Sequence, residues 1–282
     1  MHSRTILVTG ATGNVGAELV RALAGQGEPV RALVRDADRA GTLPDGVEAA
    51  VGDLNDPASV AAALEGVRAA HLLAGYAGLP ETLAHMRAAG VERVTLQSGS
   101  SATASDGTDN AVARYHIESE AAIRDSGLPW TFLQPNSFAS NTLGWRDQLA
   151  QGDTVAAPFA DVAVSVIDPR DIAAVAAHAL TTGDLDGRTL RLSGPEALRP
   201  ADRLRILGEV LGRDLTLRPQ SDDEARAEML AGMPEAYADA FLSFFVDGTI
   251  DETTVHPTVE EVLGRPPRTF RAWAEEHAGA FR

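Results

Sequence analysis

The chain contains no lysine and no cysteine. All 24 basic side chains among its 282 residues are arginines. Without lysine there is no Schiff base to a substrate or to pyridoxal phosphate, no phosphate-loop lysine and no Tyr-x-x-x-Lys dyad. Without cysteine there is no thiol nucleophile, disulfide, iron–sulfur cluster or zinc–thiolate site. The missing disulfides leave the redox compartment open. Positive charge is scarce, with 40 acidic against 24 basic groups and a net charge of −16. That balance argues against a nucleic-acid or membrane-surface partner, yet it allows one small anion held by a few local arginines. No apolar stretch approaches the ~20 residues that span a bilayer. The opening MHSRTILVTG carries no signal-peptide apolar region, so a cytoplasmic protein is expected. His2, His71, His85, His178, His256 and His277 form no H-x-H or H-x-x-x-H pair, and no metal site is expected. No G-x-S-x-G elbow points to a hydrolase.

What is present is alternation. Short β-branched or leucine-rich runs fall at 5–9, 29–34, 47–51, 70–74, 93–97 and 130–134. Between them, apolar residues at helical spacing predict helices at 15–25, 57–65, 81–89 and 113–126. Asp56 before Pro57 reads as an N-cap, and Gly90 and Gly127 as helix stops. This rhythm predicts βαβ units: an α/β, doubly wound parallel sheet of the Rossmann type with helices on both faces. Ligands would lie at the carboxyl ends of its strands. The rhythm breaks across 135–163, resumes with a strand at 164–167, a helix at 169–180 and a strand at 189–192, and then gives way to a smaller α+β lobe. Residues 1–152 and 164–193 are assigned to the nucleotide domain, and 153–163 with 194–282 to the substrate lobe. The aromatic and methionine residues of the later chain, among them Phe159, Met229, Met233, Tyr237, Phe244 and Phe245, read first as core.

The main chemical signal is Gly10-Ala-Thr-Gly13-Asn-Val-Gly16, directly after a strand and before a helix. Gly10 allows the turn, Gly13 lets the backbone approach a pyrophosphate and Gly16 lets the helix pack on the strand. Thr12, Asn14 and Val15 complete the loop. At the end of the second strand, Arg35 is placed to meet the 2′-phosphate of NADP, with NAD(H) left open because Asp36 follows. Asp53, followed by Leu54, closes the third strand and would accept from the adenine amino group. Ala74-Gly75-Tyr76 closes the fourth, beside the expected nicotinamide ribose.

At these residues the chain resembles the NmrA-like group of atypical short-chain dehydrogenase/reductases, including its NAD(P)H-dependent quinone reductases. The matching segments are Val8 to Gly16, Val30 to Asp36, Gly52-Asp53, Ser126 to Phe138, Asp168-Pro-Arg-Asp171 and Gly264-Arg-Pro-Pro267. The resemblance implies a Rossmann domain for a nicotinamide cofactor and a smaller lobe closing over a substrate cleft. It does not fix a reaction, because the group holds reductases, natural-product tailoring enzymes and non-catalytic dinucleotide sensors.

The family's catalytic serine position matches Ser98. Counting back from Gly127 puts the lysine position at His116 and the tyrosine position at Val112, so the dyad is lost. Tyr115 lies about 100° around the helix from His116 and is not taken as a replacement. Losing the dyad favours quinones and conjugated carbonyls over simple ketones, because their reduced anions are stabilised. His116 has two equal readings, an oxyanion or proton partner or a packing histidine. Pro135 and Asn136, after the sixth strand, would meet the nicotinamide. Tyr76, Phe138, Trp145 and Phe241 would wall a cleft for an aromatic or quinone substrate. Arginine and alanine without lysine suggest a GC-rich coding background, common in producers of aromatic polyketides, where a cofactor-assisted oxygenation is a further option. Nothing in the sequence fixes the oligomeric state, and a homodimer stays open.

Overall fold

The structure is a computed structural model and describes residues 5–282, so His2 lies outside the described residues. In chain order the strands and helices of the first half are β1 (Thr5–Val8), α1 (Asn14–Gly25), β2 (Val30–Val34), β3 (Glu48–Val51), α2 (Pro57–Ala61), β4 (Val67–Leu73), α3 (Leu79–Ala89), β5 (Arg93–Gln97), α4 (Ala111–Ser126) and β6 (Trp130–Pro135). The second half adds α5 (Arg146–Leu149), β7 (Thr154–Ala157), α6 (Pro169–Thr182), β8 (Arg188–Leu192), α7 (Pro200–Leu211), β9 (Thr216–Pro219), α8 (Asp222–Gly232), α9 (Glu235–Phe245), α10 (Thr258–Leu263) and α11 (Phe270–His277).

Seven strands form one sheet in the order β3-β2-β1-β4-β5-β6-β8. The pairings from β3 through β6 are parallel. The order reverses at β1, the topological switch at which open α/β sheets bind ligands. Leu72, Leu96 and Phe132 of the sheet are sealed by Leu83 and Met86 of α3 and Ile123 of α4. On the other face α1 packs against α6, whose buried residues include Ala173, Ala176 and Ala179. Those small side chains let two helices approach closely.

Contacts divide the chain into two compact units. The first holds the chain up to Gly99, Tyr115–Gln134 and Pro169–Leu190; the second holds Ser100–Arg114, Pro135–Asp168 and Arg191–Arg282. Residues 100–114 and 135–152, read from sequence as part of the nucleotide domain, pack in the second unit. That unit has its own core, with Trp145, Leu204, Leu207, Phe270, Trp273 and Phe281 buried together. Its two-stranded parallel sheet pairs β7 with β9.

Several expectations shift. The strand expected at 164–167 is replaced by single bridges from Val164 to Leu198 and Ile167 to Phe138. The Ser165 N–H donates instead to the Glu252 carbonyl at 2.8 Å, so the segment is held by irregular chain. β7 lies inside the stretch expected to be irregular. Asp56 occupies the N-cap of α2 without a side-chain capping bond, while Ser59 Oγ donates to the Asp56 carbonyl at 2.7 Å. Asp168, directly before α6, is buried in an ion pair with Arg268 at 2.6 Å. Tyr237, grouped with the core aromatics, is 38% exposed. Among the described residues no helix is long and apolar enough to cross a membrane, and no group of three or more His, Asp or Glu side chains is placed to hold a metal.

His71, in the middle of β4, is fully buried and shares a hydrogen bond between its Nδ1 and Thr95 Oγ1 at 2.8 Å. Burial lowers its pKa from 6.5 to about 4, with the Gln97 side chain opposing. The unfolded chain therefore binds a proton between about pH 6.5 and 4 that the folded one refuses, so stability falls as pH falls through that window. Urea unfolding of a His71→Gln variant should lack about 2–3 kcal/mol of the stability loss that the wild type shows between pH 7 and 4.5. An identical pH slope in both proteins would remove His71 as its source.

Candidate functional site

In the first unit the glycine turn closes on itself. Gly10 has φ +62°, and a β-carbon there would lie 2.7 Å from Leu73 Cδ1. The Gly13 N–H donates to the Gly10 carbonyl at 2.9 Å. A β-carbon on Gly16 would lie 2.1 Å from that carbonyl oxygen, so α1 sits directly on the turn. Gly13 is the N-cap of α1 and offers no side-chain cap. The first-turn amides of Asn14, Val15 and Gly16 are left to an outside acceptor, at the positive end of the helix dipole. Thr12, Gly13 and Asn14 are exposed, whereas the Val15 side chain is buried and only its N–H can serve. A cradle this tight at an uncapped helix start fits a dinucleotide pyrophosphate.

Around it, Arg35 is exposed just past β2. Arg31 is committed elsewhere, donating to the Ala63 and Glu65 carbonyls and pairing with Glu48 at 3.0 Å. Asp53 Oδ1 accepts from both nitrogens of Asn55. Leu54 and Ala74 pack against the apolar core. The Gly75 N–H donates to Ser119 Oγ at 3.0 Å. A β-carbon on Gly75 would lie 3.2 Å from the Tyr115 ring, and Tyr76, the next residue, is half-buried. No role was expected for Tyr115. Its ring nonetheless lies at the end of β4 and touches the His116 ring, with centroids 4.1 Å apart. Neighbouring helix residues diverge at their Cα atoms, but long side chains lean back along the helix and can meet.

Ser98 is buried, and its hydroxyl donates to Glu120 Oε1 at 2.7 Å. Gln134 Nε2 donates to the same oxygen at 2.8 Å, and Arg124 Nη2 to Oε2 at 3.0 Å. Sequence reasoning missed Glu120, although it stands one helical turn from His116 on α4 and both are buried. Val112 lies in the first turn of the same helix, with its N–H donating to the Asn110 cap at 3.0 Å.

In the second unit Asn136 is 1% exposed. Its Nδ2 donates to Ser165 Oγ at 2.8 Å and to the Glu252 carbonyl at 3.2 Å, while Oδ1 is buried without a partner among the described residues. This side chain can therefore accept from a ligand N–H but has no proton left to give. The buried Glu252, also missed in the sequence, accepts from Ser100 and Ser137, both at 2.5 Å. Burial pushes its pKa up, with the two serines opposing. Pro135 is buried at the end of β6 and Phe138 is half-buried. Trp145 is a core residue carrying the Arg203 guanidinium over its ring at 5.3 Å. Phe241 is half-buried and meets Phe244 edge-on at 6.1 Å.

Residues 10–183 match the family described as NAD(P)H-binding. The chain belongs to that family, in its NmrA-like, atypical short-chain dehydrogenase/reductase branch. It is 41% identical over 280 residues to the (4-alkanoyl-5-oxo-2,5-dihydrofuran-3-yl)methyl phosphate reductase of Streptomyces griseus, covering 98% of this chain and 99% of the relative. It is 35% identical to the NAD(P)H azoreductase of Xenophilus azovorans, again covering 98% and 99%. Its fold is similar to that of an NADPH-dependent quinone oxidoreductase from Escherichia coli, with a TM-score of 0.80, 23% identity, and coverage of 96% and 99%. The sheet order, the glycine cradle and the bare start of α1 are the parts of this chain that fit an NAD(P)H cofactor.

The family's serine position here serves a buried carboxylate. Ser98→Ala should lower stability by about 1–3 kcal/mol, the effect of removing one donor from a buried acid, and should show in the melting midpoint. A loss of about a hundredfold in turnover with an unchanged midpoint would instead place Ser98 in the chemistry.

Proposed function

We propose that the protein is an NADPH-dependent reductase of conjugated acceptors, whose reduced anion is stabilised by the acceptor itself. The observation that carries this reading is the state of the groups a simple ketone would need. The Ser98 proton is held by Glu120, and a chain without lysine has no fixed ammonium beside the reacting oxygen. Reducing an isolated ketone makes a strongly basic alkoxide and asks for a placed acid; a quinone, an azo group or an alkene bearing two carbonyls asks for much less. The names of the relatives support the same class. The acceptor named for the Streptomyces griseus reductase has a ring alkene with two carbonyls on one of its carbons, and it carries a phosphate ester. The Xenophilus azovorans enzyme is named for azo compounds.

When bound, NADPH supplies a hydride from nicotinamide C4 to the electrophilic carbon or nitrogen of the acceptor. The amides of Asn14, Val15 and Gly16 hold the pyrophosphate, together with Gly10, Thr12 and Gly13 of the turn. Arg35 meets the 2′-phosphate, and Asp53 Oδ2 accepts from the adenine. Ala74, Gly75 and Leu54 shape the wall, and Asn136 Oδ1 accepts from the carboxamide N–H. His116, with the Tyr115 ring against it, hydrogen-bonds the developing oxyanion, and water delivers the balancing proton. Positioning supplies most of the rate.

The deciding experiment mixes the purified protein with NADPH and a panel of simple and polycyclic quinones, azo dyes and acyl butenolides, and follows loss of the reduced-nicotinamide absorbance. Protein-dependent consumption with conjugated acceptors and none with isolated ketones is expected. Tight cofactor binding with no consumption would overturn the reductase and favour a dinucleotide sensor. Arg35→Asp should lower the NADPH-to-NADH ratio of kcat/KM by roughly tenfold or more, the scale of a lost charge-assisted phosphate contact; an unchanged ratio would sink the ribose assignment. His116→Ala should lower kcat by roughly ten- to a hundredfold, and full turnover would remove His116 from the mechanism.

A further inference from the structure

Aromatic side chains make up only 5% of this chain, yet one stripe of the second unit gathers several that are not fully buried. On α9, Tyr237, Phe241 and Phe245 recur every fourth residue, which places them along one face. Tyr237 is 38% exposed, and Phe241 and Phe245 are half-buried. The buried Phe244 braces the row, meeting Phe241 edge-on at 6.1 Å and Phe245 at 6.3 Å. Phe245 also packs against the core of the unit. The row is therefore anchored from within while part of its surface stays open.

Phe159 extends the row from another part of the chain. Its ring lies 5.0 Å from that of Phe245, tilted by 40°. Among the described residues it is the one non-glycine with a left-handed backbone, at φ +55°. It follows β7 and opens a turn, its carbonyl accepting from the Val162 N–H at 3.0 Å. Glycine takes that conformation freely, whereas the β-carbon of any other residue is crowded there. Full burial of a phenyl ring would offset the strain, but Phe159 is only half-buried. A bulky residue held in a strained backbone and left partly open is characteristic of a position that clamps a ligand.

Four residues of helix advance about 6 Å, so the three α9 side chains span about 12 Å before Phe159 adds to the row. That length suits several fused rings and is too long for one. Aromatic faces and edges favour offset or edge-on contact with another flat π system. An alkyl chain would be held as well by leucines, with no need for a ring on a strained support.

We propose that Tyr237, Phe241, Phe245 and Phe159 form a stacking platform for a flat ligand of at least three fused aromatic rings. All four residues belong to the second unit, so occupancy can be read without cofactor and without turnover. The platform goes beyond the reductase reading and stands if that reading fails.

Fluorescence anisotropy of anthracene-2-carboxylate should show saturable binding to the wild type. Benzoate and adamantane-1-carboxylate carry the same charge on a body that is short or not flat. Both should compete at least about tenfold more weakly, the scale of one or two lost aromatic contacts. Phe159→Ala should weaken anthracene-2-carboxylate by about fivefold to a hundredfold, the range for removing one stacking partner. Phe241→Leu, which keeps bulk and removes the ring, should weaken it by about twofold to tenfold. Melting curves of both variants check that they fold. No binding to the wild type, equal competition by adamantane-1-carboxylate, or unchanged affinity in both variants overturns the proposal. A wild-type dimer in sedimentation that Tyr237→Glu dissolves, with no anthracene-2-carboxylate bound, would give the row to a second copy of the chain and overturn it as well.

Discussion

The first unit hangs on one contact that tolerates no side chain. The carbonyl of Gly10 lies where a β-carbon of residue 16 would be, at 2.1 Å. That approach sets α1 on the end of β1, and α1 in turn packs against α6 behind the sheet. The same turn is fixed from the other side by Leu73 at the end of β4, 2.7 Å from where a Gly10 side chain would begin. Two adjacent strand ends and a helix start are thereby held at one point. Anion-binding amides can be aimed only by rigid supports, and here the supports are backbone atoms with no room to relax.

Within each unit, the polar groups that follow β5 and β6 are mostly committed to one another. Ser98 and Gln134 converge on Glu120, Ser100 and Ser137 converge on Glu252, and both donors of Asn136 are taken. A buried carboxylate stays in place only when its oxygens are satisfied, so these serines and amides serve the acids before any ligand. The structure is thus well provided with acceptors and poor in free acids. Hydroxyls and amides so committed offer little to protonate a localised alkoxide. The chemistry follows from which protons have already been claimed.

The sheet was readable because parallel strands buried on both faces are written as local apolar runs, and their ends as Gly, Asp or Pro. The strand at 93–97 agrees residue for residue with β5. β4 begins three residues before the expected start because Val67 directly follows the Gly66 turn at φ +71°. The pairing of β7 with β9 was not readable, since its partners stand about sixty residues apart and neither run is strongly apolar. The site divides in the same way. The glycine cradle carries its own geometry in its spacing, whereas Glu120, Glu252 and Arg203 matter only through residues brought near by folding. Glu120 alone left a local trace, one helical turn after His116.

The absence of lysine bears on this last class of residue. Withdrawing a cation from water lowers its pKa, and a lysine ammonium begins low enough to lose its proton when buried. Burial lowers Arg203 to about 10, with Glu252 opposing, so it remains charged at neutral pH. Guanidinium is also weakly hydrated and planar, and it can lie flat on Trp145 while keeping an edge of donors. A chain that draws every cation from arginine can therefore keep a half-buried positive charge that makes no direct ion pair.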